Sequence, residues 1–494
     1  MMRRIIGTVI VVFGMFAHSA RAAQAPSQGR LEVAPTTTLG VASKSGGIAA
    51  RDLVFTNGNV RLAGTLFVPP GLGPFPAVVL MHGAGPETRR PYVPDARMLV
   101  SRGIAAFIFD KRGTGESEGD WRRASLDDLM EDGLAAVALL RLQPEIAPGK
   151  VGLMGSSQGA WLAPFMAARS ESVAFLVQIT GSATPLANQE MWDDGNSLHA
   201  LGFSDRAIET EMKALHLLFS TREWVRRGLL PLGDLWFVHY DPFLDPATAW
   251  PHVRVPALVL FGEKDKTVPT QSSIEILERL WARNGHPASR IVVFPGRGHA
   301  LGGPSRNDDP VYAALVTQWI KAVTEGREPP TMPFPDHLAS SPGLHWYGMG
   351  ARTTPWYATA SFQLPLMLMF ALSFVGAAMA SVLPWTKMGG CLSRWLVGVT
   401  GLHNALLLAS LLWVINYLLN ADATDAVPAI PHVGILLPMA WAAVALAVGQ
   451  AWLWWKTRAS ASNRLGRLAV SLSTLASWAF VPFLAYWGVL GGRW

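Results

Sequence analysis

The sequence predicts an α/β fold with a mostly parallel central sheet and a helical cap, followed by a C-terminal region of four transmembrane helices. Three observations carry this prediction. Between residues 51 and 325, short apolar runs alternate with segments of helical period, the pattern of a parallel sheet covered by helices on both faces. Within that region, Val151 to Ala160 reads VGLMGSSQGA, an apolar run ending in G-x-S-x-G just before a helix-like segment rich in Ala and Met. Beyond residue 360 come four apolar stretches, each long enough to cross a bilayer.

Taken in order, Met1 to Ala22 reads as a secretory signal: Arg3-Arg4, an apolar run from Ile5 to Ala17, then Ala20-Arg21-Ala22 as a cleavage site. An uncleaved anchor is the rival, and either one exports the chain beyond it. Residues 23–50 have little periodicity and read as a flexible leader. Leu53 to Val68, broken by Asn57-Gly58-Asn59, predicts a β-hairpin. Strands are expected at Ala77–Met81, Ala105–Phe109, Val151–Gly155, Ala174–Ile179, Ala257–Phe261 and Arg290–Phe294. Helices are expected at Pro94–Gly103, Leu126–Leu142, the segment after Ser157, Gln271–Trp281 and Pro310–Val323, with Ser125 as the N-cap of the second. The alternation breaks between about 185 and 250, where Trp192, Leu198, Leu217 and Trp224 are among the apolar residues at helical spacing; this insertion reads as a cap over the strand ends. Residues 326–360, rich in Pro, Gly and Ser, form a linker. The four spans within residues 361–491 are Phe362–Leu383, Trp395–Leu419, Val433–Trp455 and Leu468–Leu490.

Charge supports this division. The net charge of +6 is concentrated at the N-terminus and among the spans, where seven basic residues face only Asp422 and Asp425. Such a basic balance belongs to a membrane protein and gives no reason to expect a nucleic-acid partner. Lys387 and Arg394 lie in the first connecting loop, and Lys456, Arg458, Arg464 and Arg467 in the third. The positive-inside rule puts those loops in the cytoplasm. Residues 51–325 are then expected on the periplasmic or extracytoplasmic side of the cytoplasmic (inner) membrane. Cys391 is the only cysteine, so neither a disulfide framework nor a Cys-based metal site is expected, and no cofactor fingerprint appears.

In G-x-S-x-G, Gly155 and Gly159 flank Ser157 where a strand must turn sharply into a helix, exposing the hydroxyl. A serine hydroxyl needs a base to take its proton, and the base needs an orienting acid. On a parallel sheet these come in the order Ser, acid, His. Asp265 lies just past the strand ending at Phe261, and His299 just past the strand ending at Phe294. Glu263 competes for the acid role, and Ser156 would be the alternative nucleophile. The Gln158 N–H and the Ala84 N–H are the expected oxyanion donors. His82 reads as a brace for the Ala84 loop, and Asp193-Asp194 as a solvated face of the cap.

At these residues, 52–325 resemble the α/β-hydrolase superfamily, in the branch of bacterial esterases and dienelactone-hydrolase-like or serine-aminopeptidase-like proteins. The carriers are His82-Gly83-Ala84-Gly85-Pro86, Asp110-Lys111-Arg112-Gly113-Thr114-Gly115-Glu116-Ser117, Gly155-Ser156-Ser157-Gln158-Gly159, Gly262-Glu263-Lys264-Asp265 and Gly298-His299. The resemblance does not reach the four spans. The resemblance implies a serine hydrolase and leaves the substrate open; the reading adopted is cleavage of a small carboxylic ester through an acyl-enzyme. A peptidase acting on short peptides, an acyltransferase, and a membrane transporter or sensor with a binding-only domain are the rivals. The lipid bilayer is expected as a further partner.

Overall fold

The computed structural model describes residues 48–221, 224, 227, 240–285, 288–329, 355–382, 391–418, 436–457 and 464–490. The signal, nearly all of the leader, most of the linker and the loops 383–390, 419–435 and 458–463 lie outside the described residues. The chain divides into two compact units.

The larger unit is built on one eight-stranded sheet: β1 (Ala49–Asn57), β2 (Val60–Val68), β3 (Phe75–Met81), β4 (Ala105–Phe109), β5 (Ile146–Ser156), β6 (Leu176–Ile179), β7 (Ala257–Gly262) and β8 (Arg290–Phe294). Their order is β1-β2-β4-β3-β5-β6-β7-β8. The hairpin β1–β2 is antiparallel, closing at the pair Asn57 and Val60, and β2 runs antiparallel to β4. Every later pairing is parallel. Around the sheet lie α1 (Val93–Val100), α2 (Leu126–Arg141) and α3 (Gln158–Arg169). After β6 the chain forms α4 (Leu186–Ala200) and α5 (Asp205–Ser220), then α6 (Thr270–Asn284) and α7 (Pro310–Thr324).

Side-chain alternation explains why these strands read as continuous apolar runs. Ala77, Val79 and Met81 of β3 enter one buried cluster, with Met130, Leu140, Trp161 and Leu277. Val78 and Leu80 enter the other, with Leu99, Leu315 and Trp319. Both faces of each central strand are covered, so polar residues have no outward side to occupy. Each such Val, Leu or Met side chain contributes about 1.5–3 kcal/mol by leaving water. Helix α2 begins with a capping box: Ser125 Oγ accepts from Asp128 N–H at 3.1 Å, and Asp128 Oδ2 accepts from Ser125 N–H at 2.8 Å.

The second unit holds four long helices, α8 (Ala360–Val382), α9 (Cys391–Leu418), α10 (Leu436–Thr457) and α11 (Arg464–Tyr486). All four are long and apolar enough to cross a membrane. Their outward residues are apolar too, Leu372 being 65 % and Leu475 73 % exposed, as suits a lipid-facing surface. Phe370, Phe374, Phe480 and Phe483 interlock at the centre. Buried Gln450 donates to Ser473 Oγ at 2.7 Å and accepts from Ser477 Oγ at 3.1 Å, while Asn404 donates to Ser477 Oγ at 3.3 Å. Small polar groups bonded across helices in this way hold a membrane bundle in register.

The segment read as a cap over residues 185–250 is divided between the units. Residues through Asp193 cluster with the sheet, whereas Asp194–Glu223 cluster with the long helices. Ala214 and Leu217 of α5 share a buried cluster with Phe370 and Phe480. At the end of α11, Lys213 Nζ donates to Tyr486 O at 2.8 Å and Thr210 Oγ1 to Trp487 O at 3.2 Å. Those carbonyls have no intrahelical partner, and a cation beside a helix C-terminus also opposes its dipole. The Ala360 N–H, at the opening of α8, donates to Ser220 Oγ at 3.0 Å.

Candidate active site

Ser157 stands between β5 and α3 with φ 50° and ψ −113°, a conformation that costs a non-glycine residue energy. Its N–H donates to Ile179 O at 2.9 Å and its carbonyl accepts from Trp161 N–H at 2.9 Å, so β6 and the first turn of α3 fix the bend. The neighbours must be glycine. A Cβ at Gly155 would overlap the backbone of Gly159 and Ala160, and one at Gly159 would lie 2.6 Å from Met81 O. Ser156 is the last residue of β5, paired with Ile179 inside the sheet.

Asp265 and His299 come from neighbouring strand ends, after β7 and β8. Glu263 N–H donates to Phe294 O at 3.1 Å and Lys264 N–H to Arg297 O at 2.8 Å, lacing the two turns together. Gly262 allows that approach, because a Cβ there would strike the carbonyls of Arg297 and Gly298. The Asp265 side chain is fully buried. Its Oδ1 accepts from the Thr267 and Val268 N–H groups, both at 2.9 Å, and its Oδ2 lies 3.0 Å from His299 Nδ1. Glu263 takes a different path, accepting from Gly296 N–H at 2.7 Å on an exposed surface. Among the described residues no hydrogen bond joins Ser157 Oγ to His299, so the acid–histidine contact is made and the histidine–serine contact is open. Such contacts commonly tighten only when substrate is bound.

The loop after β3 brings Ala84 toward the elbow region with its residue exposed. The Gly83 N–H is already engaged by Tyr92 Oη at 2.9 Å and Glu87 Oε2 at 3.0 Å. Among the described residues the Ala84 and Gln158 N–H groups have no acceptor, as an oxyanion hole requires. His82 braces this loop: its Nε2 meets Phe109 O at 2.5 Å, and the two rings stand edge to face at 4.5 Å. Burial, with Lys111 nearby, lowers the His82 imidazole to about 3, against the pull of the Phe109 carbonyl, so the ring is neutral at physiological pH. The Asp110 to Ser117 motif is a scaffold. Asp110 accepts from Arg89 and Glu116 N–H groups, and Arg112 forks onto Asp132 of α2 with two 2.7 Å bonds.

Two neighbours were not legible beforehand. The Asp193 carboxyl, assigned above to a solvated face, is lifted to about 6, chiefly by burial; the charge of His299 pulls it down and that of Asp265 pushes it up. The second is Lys111, whose side chain is buried against Gly83, Gly85 and Gln158. Its one sequence signal is that it follows the wholly buried strand β4 with only Asp110 between. Among the described residues no group of three or more His, Cys, Asp or Glu side chains is placed to share a metal ion.

Two family models match this region. The BAAT/acyl-CoA thioester hydrolase C-terminal family covers residues 134–321, and the serine aminopeptidase S33 family covers 73–193. Esterase EstD of Thermotoga maritima is 31 % identical over 255 residues, 49 % of this chain and 58 % of that protein. An uncharacterized protein of Mycobacterium tuberculosis is 30 % identical over 253 residues, 51 % of this chain and 73 % of its own length. Human bile acid-CoA:amino acid N-acyltransferase is 28 % identical over 247 residues, 49 % of this chain and 53 % of that one. The chain thus spans a little over half the length of the esterase and of the acyltransferase.

Proposed function

The chain belongs, through its sheet-bearing unit, to the α/β-hydrolase superfamily, and on that premise we propose that it is a membrane-anchored serine hydrolase cleaving carboxylic esters. Ser157 Oγ attacks the acyl carbon; its proton passes to His299 Nε2, and the carbonyl electron pair moves onto oxygen, facing the Ala84 and Gln158 N–H groups. Collapse breaks the bond to the alcohol, which takes the proton from His299. Water then repeats the sequence on the acyl-enzyme and frees the acid. Asp265 holds His299 with Nδ1–H toward its carboxylate and stabilises the imidazolium.

The observation that carries this reading is the 3.0 Å contact of buried Asp265 with His299 on the strand ends beside the strained Ser157 bend. Reaction with a fluorophosphonate tests it: label on Ser157 is expected, and a Ser157→Ala chain that labels at the parent's rate refutes it. A second reading, acyl transfer, is favoured by the match of residues 134–321 to a family that includes N-acyltransferases. Adding an amine during ester or thioester turnover separates the two. Amide forming at the expense of acid marks transfer, and acid alone marks hydrolysis.

For location we propose that the catalytic unit is extracytoplasmic, with residues 1–22 as its export signal. The support is the loop charge pattern, Lys and Arg in the first and third loops against Asp422 and Asp425 in the second.

A further inference from the structure

Lys111 is a cation buried in the sheet-bearing unit. Its side chain points inward from the end of β4 and the residue is only 3 % exposed. Burying an ammonium is costly unless each of its donors is met. Here all three are: Nζ donates to Gly83 O at 2.6 Å, to Gly85 O at 3.0 Å and to Gln158 Oε1 at 3.0 Å. Gly83 and Gly85 are the two residues that flank Ala84, and Gln158 is next after the nucleophile. One side chain therefore joins the two backbone segments that carry the unpaired N–H groups, although 73 residues of chain separate Gly85 from Gln158. The Gln158 amide is held from a second side by the Tyr240 hydroxyl.

We propose that Lys111 is a positioning residue for the reaction: its ammonium clamps the Ala84 loop to Gln158 so that both N–H groups converge on the oxygen that becomes negative. This rests on the serine hydrolase reading above and assigns to Lys111 a role in the transition state that a plain scaffold lysine lacks. An oxyanion forms only after attack. A clamp that aligns its donors therefore raises kcat and leaves KM alone, whereas a residue that only shapes the pocket moves both.

The electrostatics agree with the geometry. Burial lowers the ammonium to about 8, with the Glu87 carboxylate pulling the other way. Other titratable groups on the surrounding elements are His82, held neutral, Asp132, which Arg112 neutralises in the wall of the small cavity beneath Gln158, Tyr92, bonded to Glu87, and Tyr240, bonded to Gln158. The clamp then weakens above about pH 8. Since the lysine's folded value is depressed, this group adds stability as pH rises from about 8 toward 10.5, so the weakening is not unfolding.

The experiment uses the full-length chain in detergent, with a trifluoromethyl ketone that forms a tetrahedral adduct on the serine. In Lys111→Met, kcat for a short p-nitrophenyl ester is expected to fall about 100-fold, as for loss of one oxyanion donor. KM stays within twofold, and affinity for the ketone falls in parallel with kcat. A folded Lys111→Met chain with parental kcat and ketone affinity overturns the proposal, and so does a variant that changes KM alone. If that variant fails to fold, the parent protein decides. Its affinity for the ketone should drop above about pH 8 while its unfolding temperature holds, and a flat affinity to pH 9.5 overturns the clamp. Fluorophosphonate labelling of parental Ser157 keeps the two hypotheses apart. No label removes the hydrolase reading itself; label with no effect of Lys111 removes the clamp alone.

Discussion

Replacing Asp265 by Asn tests the acid assignment at the level of single protons. Asp265 Oδ1 accepts two backbone N–H groups at 2.9 Å, and Oδ2 faces His299 Nδ1 at 3.0 Å. An asparagine keeps the first pair by placing its carbonyl oxygen at Oδ1. Its NH2 group must then face Nδ1, which has to present a lone pair. The imidazole proton moves to Nε2, and His299 can no longer accept the serine proton. In a serine protease triad the same exchange costs about 10^4 in kcat, or about 5 kcal/mol of transition-state stabilisation, with the fold intact. A similar loss is expected here, with stability changing by about 1–3 kcal/mol for one charge-assisted bond in a fully buried site. The assay is ester turnover by the detergent-solubilised full chain, alongside thermal unfolding. Glu263→Gln serves as the comparison and should stay within twofold, because Glu263 accepts from the Gly296 N–H on the exposed side of the turn. A stable Asp265→Asn enzyme retaining more than a tenth of parental kcat would refute the reasoning, and a large loss in Glu263→Gln would transfer the role.

Asp193→Asn tests the buried carboxyl that lies within the field of His299 and Asp265. Because burial raises the Asp193 value to about 6, the stability it contributes is present at low pH and lost as pH rises through 6. The Asn variant should therefore gain in unfolding temperature above pH 6 and show no gain near pH 4; an equal change at both pH values would refute the raised Asp193 value. Gly159→Ala should lose at least about 2 kcal/mol of stability, read by urea unfolding, since its methyl would press on the backbone of Met81 and His82; wild-type stability would mean the elbow is looser than described. Gln450→Leu should weaken the helical bundle by only about 1 kcal/mol in detergent denaturation, with ester turnover unchanged. A topology reporter that works only outside the cytoplasm should be active after Asp425 and silent after Arg464; the opposite pattern would place the catalytic unit inside.

Most of the architecture was written in the sequence at short range. Strands such as Ala105–Phe109 and Arg290–Phe294 begin and end where expected, and the helix from Leu126 begins where expected and ends one residue early, at Arg141, because apolar runs, caps and glycines act on their own neighbours. The elbow was legible for the same reason, its geometry being enforced within Gly155 to Gly159. Asp265 and His299 could be located by their positions after β7 and β8, and Val268-Pro269 just beyond Asp265 favours it over Glu263 from the sequence alone; in the folded turn the Asp265 carboxylate faces the histidine and that of Glu263 faces Gly296. The tertiary structure alone decided three matters. It assigned α5 to the long helices, because an amphipathic helix carries the same pattern whichever apolar surface it covers. It brought Asp193 within the field of His299, and Lys111 within reach of Gly83, Gly85 and Gln158. Neither charge sits in a periodic pattern, and burial of a single polar side chain depends on partners far along the chain, which no local spacing encodes.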